Sequence, residues 1–153
     1  MRIYLPVTLD ELDAWRAGAP LPPRRAHAVT TALRNALPDE DEEGLEFAAQ
    51  LAAADDALVR IASAPAAPHL RAVVSLDVPD ALVDLADDPD AAPSAVAVQG
   101  AVDRHRIACA HVDEPAARAD VAAAVTGDEA AVERLLERDL LWYDVTELGA
   151  LPR

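Results

Sequence analysis

Residues 39–63, DEDEEGLEFAAQLAAADDALVRIAS, form the only long uninterrupted helical pattern in the chain, and the fold is read outward from them. Five acids open the stretch and no proline interrupts it. At about 100° per residue, Phe47, Leu51, Leu58, Val59 and Ile61 share one broad arc, and Glu42, Glu43, Glu46, Gln50, Asp56 and Arg60 take the opposite one. The pattern predicts a long helix near 42–62 with its large apolar groups on a sheet and its acids in water. Asp55 falls inside the apolar arc, where a carboxylate needs a partner or a proton.

At 153 residues the chain has the length of one globular domain, 1–153. Its hydrophobic fraction of 52% is weighted toward alanine, and aromatics make up only 3%, so the interior is expected to be Leu, Val, Ile and closely approaching Ala. Thirteen basic residues against 28 acidic ones give a net charge of −15. A field of that sign repels phosphate backbones and anionic lipid, which argues against nucleic-acid and membrane-surface partners. Every basic residue is arginine. Without a lysine, Schiff-base catalysis, covalent pyridoxal phosphate attachment and the usual P-loop are closed to this chain. Cys109 is the sole cysteine, so no intrachain disulfide and no multi-cysteine metal site can form. The N-terminus meets acids before any long apolar run, and the chain is expected in the cytoplasm.

Upstream of the long helix, Ile3 to Val7 reads as a strand, with Thr8 and Glu11 at capping-box spacing behind it. Leu9, Leu12 and Trp15 give that helix its apolar stripe, and Gly18 ends it. A proline-rich link, 19–25, leads to a short extended piece and a helix from about Thr31 to Leu37, capped by Thr30. Downstream, RAVVSLDV reads as an interior strand. A helix is expected over 79–86 behind Pro79, then a loop, then two strands, 95–98 and 104–112, as an antiparallel hairpin through Gln99-Gly100. Glu114-Pro115 opens an alanine-rich helix to Val125, and Thr126 with Glu129 offers a capping box for a last one. Together these give an α/β or α+β domain with about four strands in a mixed sheet packed by helices.

Four groups of residues invite a chemical reading. Arg24, Arg25 and His27 gather before a helix start with Thr30 and Thr31, a junction suited to a small anion; the structural alternative is a solvated basic turn with an ordinary cap. His105, Cys109, His111 and Asp113 alternate along one strand face; the histidines stand too far apart to share a metal, while Cys109 and His111 could pair as a dyad or simply be buried. Asp77, Asp80, Asp84, Asp87, Asp88 and Asp90 lack EF-hand spacing and read as helix-start and loop acids. Trp142 and Tyr143 read as core anchors, with an exposed docking patch as the alternative. No GxGxxG, GxSxG or HExxH motif is present.

The blocks MRIYLPVTLDEL, AHAVTTALR, DEEGLEFAA, VVSLDVPDA, ACAHVD and LLWYDVTEL, in that order, resemble a family of small actinobacterial proteins that form a domain of unknown function. The resemblance covers nearly the whole chain and carries no catalytic residue with it. Similar proteins have proline where this chain has Thr31, which implies a helix start there and no hydroxyl-dependent role. The resulting expectation is an acidic interaction or regulatory module without chemistry or cofactor of its own. It would be drawn to a basic protein partner or to self-association as a dimer. The competing expectation is a protein or enzyme that binds a small anion or nucleotide at the 24–31 junction.

Overall fold

The computed structural model describes residues 1–86 and 90–153. The strands are β1 (Arg2–Val7), β2 (Arg24–His27), β3 (Ala72–Asp77), β4 (Val83–Leu85), β5 (Ala95–Val98), β6 (Ile107–Val112) and β7 (Leu141–Asp144). The helices are α1 (Leu9–Arg16), α2 (Thr31–Ala36), α3 (Glu42–Ala62), α4 (Arg118–Ala124) and α5 (Glu129–Leu136). All seven strands join one sheet in the order β4-β5-β2-β1-β3-β6-β7, and each neighbouring pair is antiparallel. No helix among the described residues is long and apolar enough to cross a membrane.

The sheet corrects the expected four mixed strands. β2 and β3 do run in the same direction, joined by a crossover through α2 and α3, but β1 lies between them, so no neighbours are parallel. The helix expected over 79–86 is a single 3-10 turn, Asp80–Leu82, and then β4, whose Val83 and Leu85 pair with Val98 and Val96. Tertiary pairing overrides the proline-start signal there. Nor do 95–98 and 104–112 form a hairpin: β5 pairs with β2 and β4, β6 with β3 and β7. The link between them is anchored where the indole Nε1–H of Trp15 donates to Val102 O, 3.2 Å. Thr126 does not cap the last helix; Asp128 does, accepting from the N–H of Ala131. Asp87 and Asp88 lie outside the described residues.

Strand alternation sorts the side chains onto two faces. Ile3, Leu5 and Val7 of β1, with Val74 and Leu76 of β3, point into the larger core beneath Leu9, Leu12 and Trp15 of α1 and the C-terminal Leu148 and Leu151. Thr8 and Glu11 close the expected capping box at the head of α1. Tyr4 and Val73 point the other way and meet α3.

The long helix has the expected bounds, with Asp41 as its cap, but it is rotated from the expected orientation. Its buried residues are Leu45, Ala49, Ala53, Ala54, Ala57 and Ile61. Phe47, Leu51 and Val59 are 47%, 39% and 65% exposed. The alanines at i, i+4 and i+8 make a nearly flat stripe that lets the helix backbone settle on Tyr4 and Val73. A wheel weighted by side-chain size is right at Ile61, which is buried, and at Leu58, which is partly so, but wrong at Phe47, Leu51 and Val59.

One buried ion pair ties the start of β3 to the end of β6. Arg71 and Asp113 are 2% and 0% exposed. The Arg71 guanidinium donates to both carboxylate oxygens, Nη2 to Oδ1 at 2.8 Å, and its backbone N–H adds a bond to Oδ2 at 2.7 Å. Asp113 therefore belongs to the frame and not to a strand-face site. Arg71 also reaches the carbonyl of Arg138, whose own guanidinium holds Glu114 and Asp120.

If the alanine stripe sets the helix height, Ala53→Leu overpacks the interface and costs about 1–3 kcal/mol in denaturant unfolding. Val59→Ala, on the face the wheel favours, stays within about 0.5 kcal/mol of the parent. Equal costs for the two would contradict this packing.

Candidate functional site

The α3 side of the sheet leaves a groove of about 550 Å³ beside the N-terminal half of the helix. Its floor comes from neighbouring strands in register: Tyr4 of β1 opposite Ser75 of β3, and Ser75 opposite Cys109 of β6. His111, one alternation further along β6, pairs with Trp142 of β7. Its wall comes from α3 and its cap, through Asp41, Glu43, Glu46, Phe47 and Gln50. Arg2 stands at the edge, donating to both oxygens of Asp77 at 3.1 and 3.0 Å.

Three physical features mark the groove. The chain has five aromatic residues, and Tyr4, Phe47 and Trp142 all line this one cleft. Trp142 is 59% exposed, so the aromatic expected as a core anchor is outside; its neighbour Tyr143 does pack on the core. Second, the negative charge on the wall is incompletely met. Asp41 accepts from the N–H of Gly44 and Glu42 is paired with Arg34, but neither Glu43 nor Glu46 has an ion-pair partner among the described residues. Third, Ser75 Oγ is buried without a hydrogen-bond partner. Leaving such a group unpaired costs about 1–3 kcal/mol.

Burial, and then the charge of Glu46, push the Tyr4 phenol well above its ordinary range, so it remains an O–H donor at neutral pH. Cys109 Sγ lies 3.5 Å from His111 Nε2. Burial pulls His111 down, which favours a neutral ring whose Nε2 can accept a hydrogen bond from the thiol. A register shift between Ser75 and Leu76 skips Ala108 beside Cys109, a bulge that keeps Cys109 opposite Ser75. His105 does not join this face; it sits in an exposed 3-10 turn bonded to Asp103.

The junction singled out in the sequence, 24–31, occupies a different region. Arg24 is held against Glu11 at 3.3 Å. Arg25 lies in β2 opposite Ala97. Thr30 caps the six-residue α2, accepting from the N–H of Leu33, and its hydroxyl donates to Pro93 O. Thr31 begins that helix as expected. His27 is buried, with Nδ1 2.8 Å from Ser94 Oγ and Nε2 3.2 Å from Asp56 Oδ2. In the neutral ring the carboxylate can only accept, so Ser94 donates to Nδ1 and Nε2 donates to Asp56. The order is that of a hydrolytic triad with the ring nitrogens exchanged, yet Ser94 is 1% exposed and closed to substrate. The partner carboxylate is Asp56, held below its usual range by the His27 bond, and not Asp55, which is exposed.

Glu11 is the charge centre of this region. It caps α1 and accepts from both Arg24 and Arg60. Burial pushes its carboxyl up, but the bond from Arg60, the Thr8 N–H and the charge of Arg24 prevail and hold it down at about 2. A depressed folded-state pKa gives stability that is present above the unfolded value and lost as pH falls toward the folded one. Glu11→Gln is therefore expected to cost on the order of 2–3 kcal/mol at pH 7, a gap that narrows from about pH 5 and closes near pH 2. Urea titrations of both proteins across that range would show it; a gap independent of pH would contradict it.

Comparison with known proteins finds one family. No curated protein and no solved structure matches the chain. A family model matches residues 1–151, and the chain belongs to DUF6912, a family of unknown function.

Proposed function

We propose that this protein is a binding domain that takes a cationic group in the groove between α3 and the β1-β3-β6-β7 floor. The observation that carries the reading is the convergence of Tyr4, Phe47 and Trp142 with the unpaired carboxylates of Glu43 and Glu46 on one cleft. Aromatic faces attract cations through the ring quadrupole, and carboxylates within the same low-dielectric space add to that attraction. At the cleft lining Tyr4 Oη would accept a hydrogen bond from a cation's N–H and so orient the ligand. The net charge of −15 steers a basic ligand toward the surface before contact. No reaction step is assigned to Cys109 and His111. These features support the reading of an acidic module drawn to a basic partner. The anion reading of 24–31 has less support, because Arg24 is committed to Glu11 and His27 and Thr30 are buried.

The test is a titration with Nα-acetyl-arginine amide, followed by backbone amide shifts, against its neutral citrulline counterpart. Binding of the cation is expected, with shifts at Tyr4, Glu46 and Trp142. Trp142→Ala should weaken it about tenfold, the size of a partly desolvated cation–π contact. Equal affinity for the neutral compound would sink the reading, and phosphate-induced shifts confined to 24–31 would favour the anion site instead.

A further inference from the structure

We infer that the cationic group arrives on an extended basic segment of another protein, which adds to β7 as an eighth strand. The inference rests on the groove being a cation site and goes further, by naming the partner and the backbone that receives it. β7 is the last strand of its sheet and pairs only with β6 among the described residues. Its sequence, Leu141-Trp142-Tyr143-Asp144, has no proline, lysine or arginine to blunt the exposed edge; the strand is short, and the Asp144 N–H is already bonded to Glu147 Oε2. Leu141 and Trp142 are exposed on it.

Register then dictates what the partner must look like. Trp142 and Asp144 stand opposite His111 and Cys109, so they belong to the groove face; Leu141 and Tyr143 stand opposite Val112 and Ala110, so they belong to the other. Side chains alternate with a period of two, and a strand added outside β7 continues the same alternation. Its residues beside Trp142 and Asp144 would lie at the groove mouth, near Glu43 and Glu46. Those beside Leu141 and Tyr143 would lie on the apolar side. The edge therefore selects an alternating basic–apolar segment, with main-chain bonds giving affinity and alternate side chains giving specificity. Charge decides between the two occupants an open edge admits. A second copy would bring another −15 to the contact, whereas a basic strand neutralises what is there.

The experiment uses the full chain and a capped six-residue peptide alternating arginine and valine. Four comparisons accompany it: a block-ordered peptide of the same composition, two forms N-methylated at either alternate set of amides, and Nα-acetyl-arginine amide. Anisotropy of the labelled peptides gives affinity, amide shifts give location, and sedimentation gives the state of the protein. The expected result is binding at β7 and the groove. Block order, and N-methylation of the set that faces β7, should each weaken binding at least about tenfold. Trp142→Ala and added salt weaken it too. If the small cation binds but the block-ordered and both N-methylated peptides bind as well as the alternating one, the groove reading stands and the strand pairing is overturned. If neither the small cation nor any peptide binds, both are overturned. A protein that self-associates through β7 and excludes the peptide overturns the choice of partner.

Discussion

The close seat of α3 on the sheet is the constraint from which the other features descend. Ala49, Ala53 and Ala54 present almost no side chain, so the helix backbone descends onto Tyr4 and Val73. Interiors are packed at near-crystalline density, and where the alanines seat the helix this low a larger side chain would not fit beneath it; Leu45 and Ile61 are buried nearer its two ends. Phe47 and Leu51 are left on the flank of the helix instead of beneath it. Phe47 meets the groove only because alanine took the place that its size would otherwise have claimed.

That substitution of small for large explains how much of the molecule was legible in the sequence. β1, the Thr8 cap, α1, Thr30, α3 and β3 were readable because local chemistry fixes each of them: hydroxyl caps, acidic first turns, β-branched runs. The bounds of α3 were readable while its orientation was not, since hydrophobicity per residue ranks Phe and Leu above Ala, whereas the middle of the buried stripe is Ala49, Ala53, Ala54 and Ala57. β4 and β7 were missed because three- and four-residue strands exist only through their neighbours: Val83–Leu85 has no strand signal apart from Ala95–Val98, nor Leu141–Asp144 apart from β6. The groove was invisible for the same reason. Its floor collects Tyr4, Ser75 and Cys109 from positions far apart in sequence, and only strand order brings them together. Cys109 and His111 were the one fragment in view, since an i, i+2 pair on a strand shares a face whatever lies around it.

Two arginines next to carboxylates illustrate why charge alone is a poor guide to a site. Arg24 looked like an anion clamp, yet it is bound to Glu11, which also holds Arg60 and the head of α1. Arg71 carries no motif, yet it is the one arginine buried among the described residues, matched by Asp113 through four bonds. Removing one partner of such a pair typically costs about 3–5 kcal/mol, because the other charge is left without solvent or counter-charge. In a chain with twice as many acids as bases, most arginines are consumed by the frame. The informative charges are the acids left over.

Those leftover acids also answer why the N-terminal run of α3 is so long. One cap and one or two first-turn carboxylates satisfy the free N–H groups and the dipole of a helix, and Asp41 and Glu42 already do so, the latter while paired with Arg34. Glu43 gains from the dipole as well, but Glu46 lies a turn in, where that field has faded, and it stands against a buried phenol whose ionisation it opposes. Its carboxylate faces the Tyr4 hydroxyl and has no ion-pair partner among the described residues, which leaves its charge available to a cation in the cleft. Phe47 and Trp142 add exposed aromatic surface at the same place, which water disfavours. Exposed aromatic faces and carboxylates without an ion-pair partner meet on one cleft, and that convergence is what a surface shaped for a positively charged occupant would show.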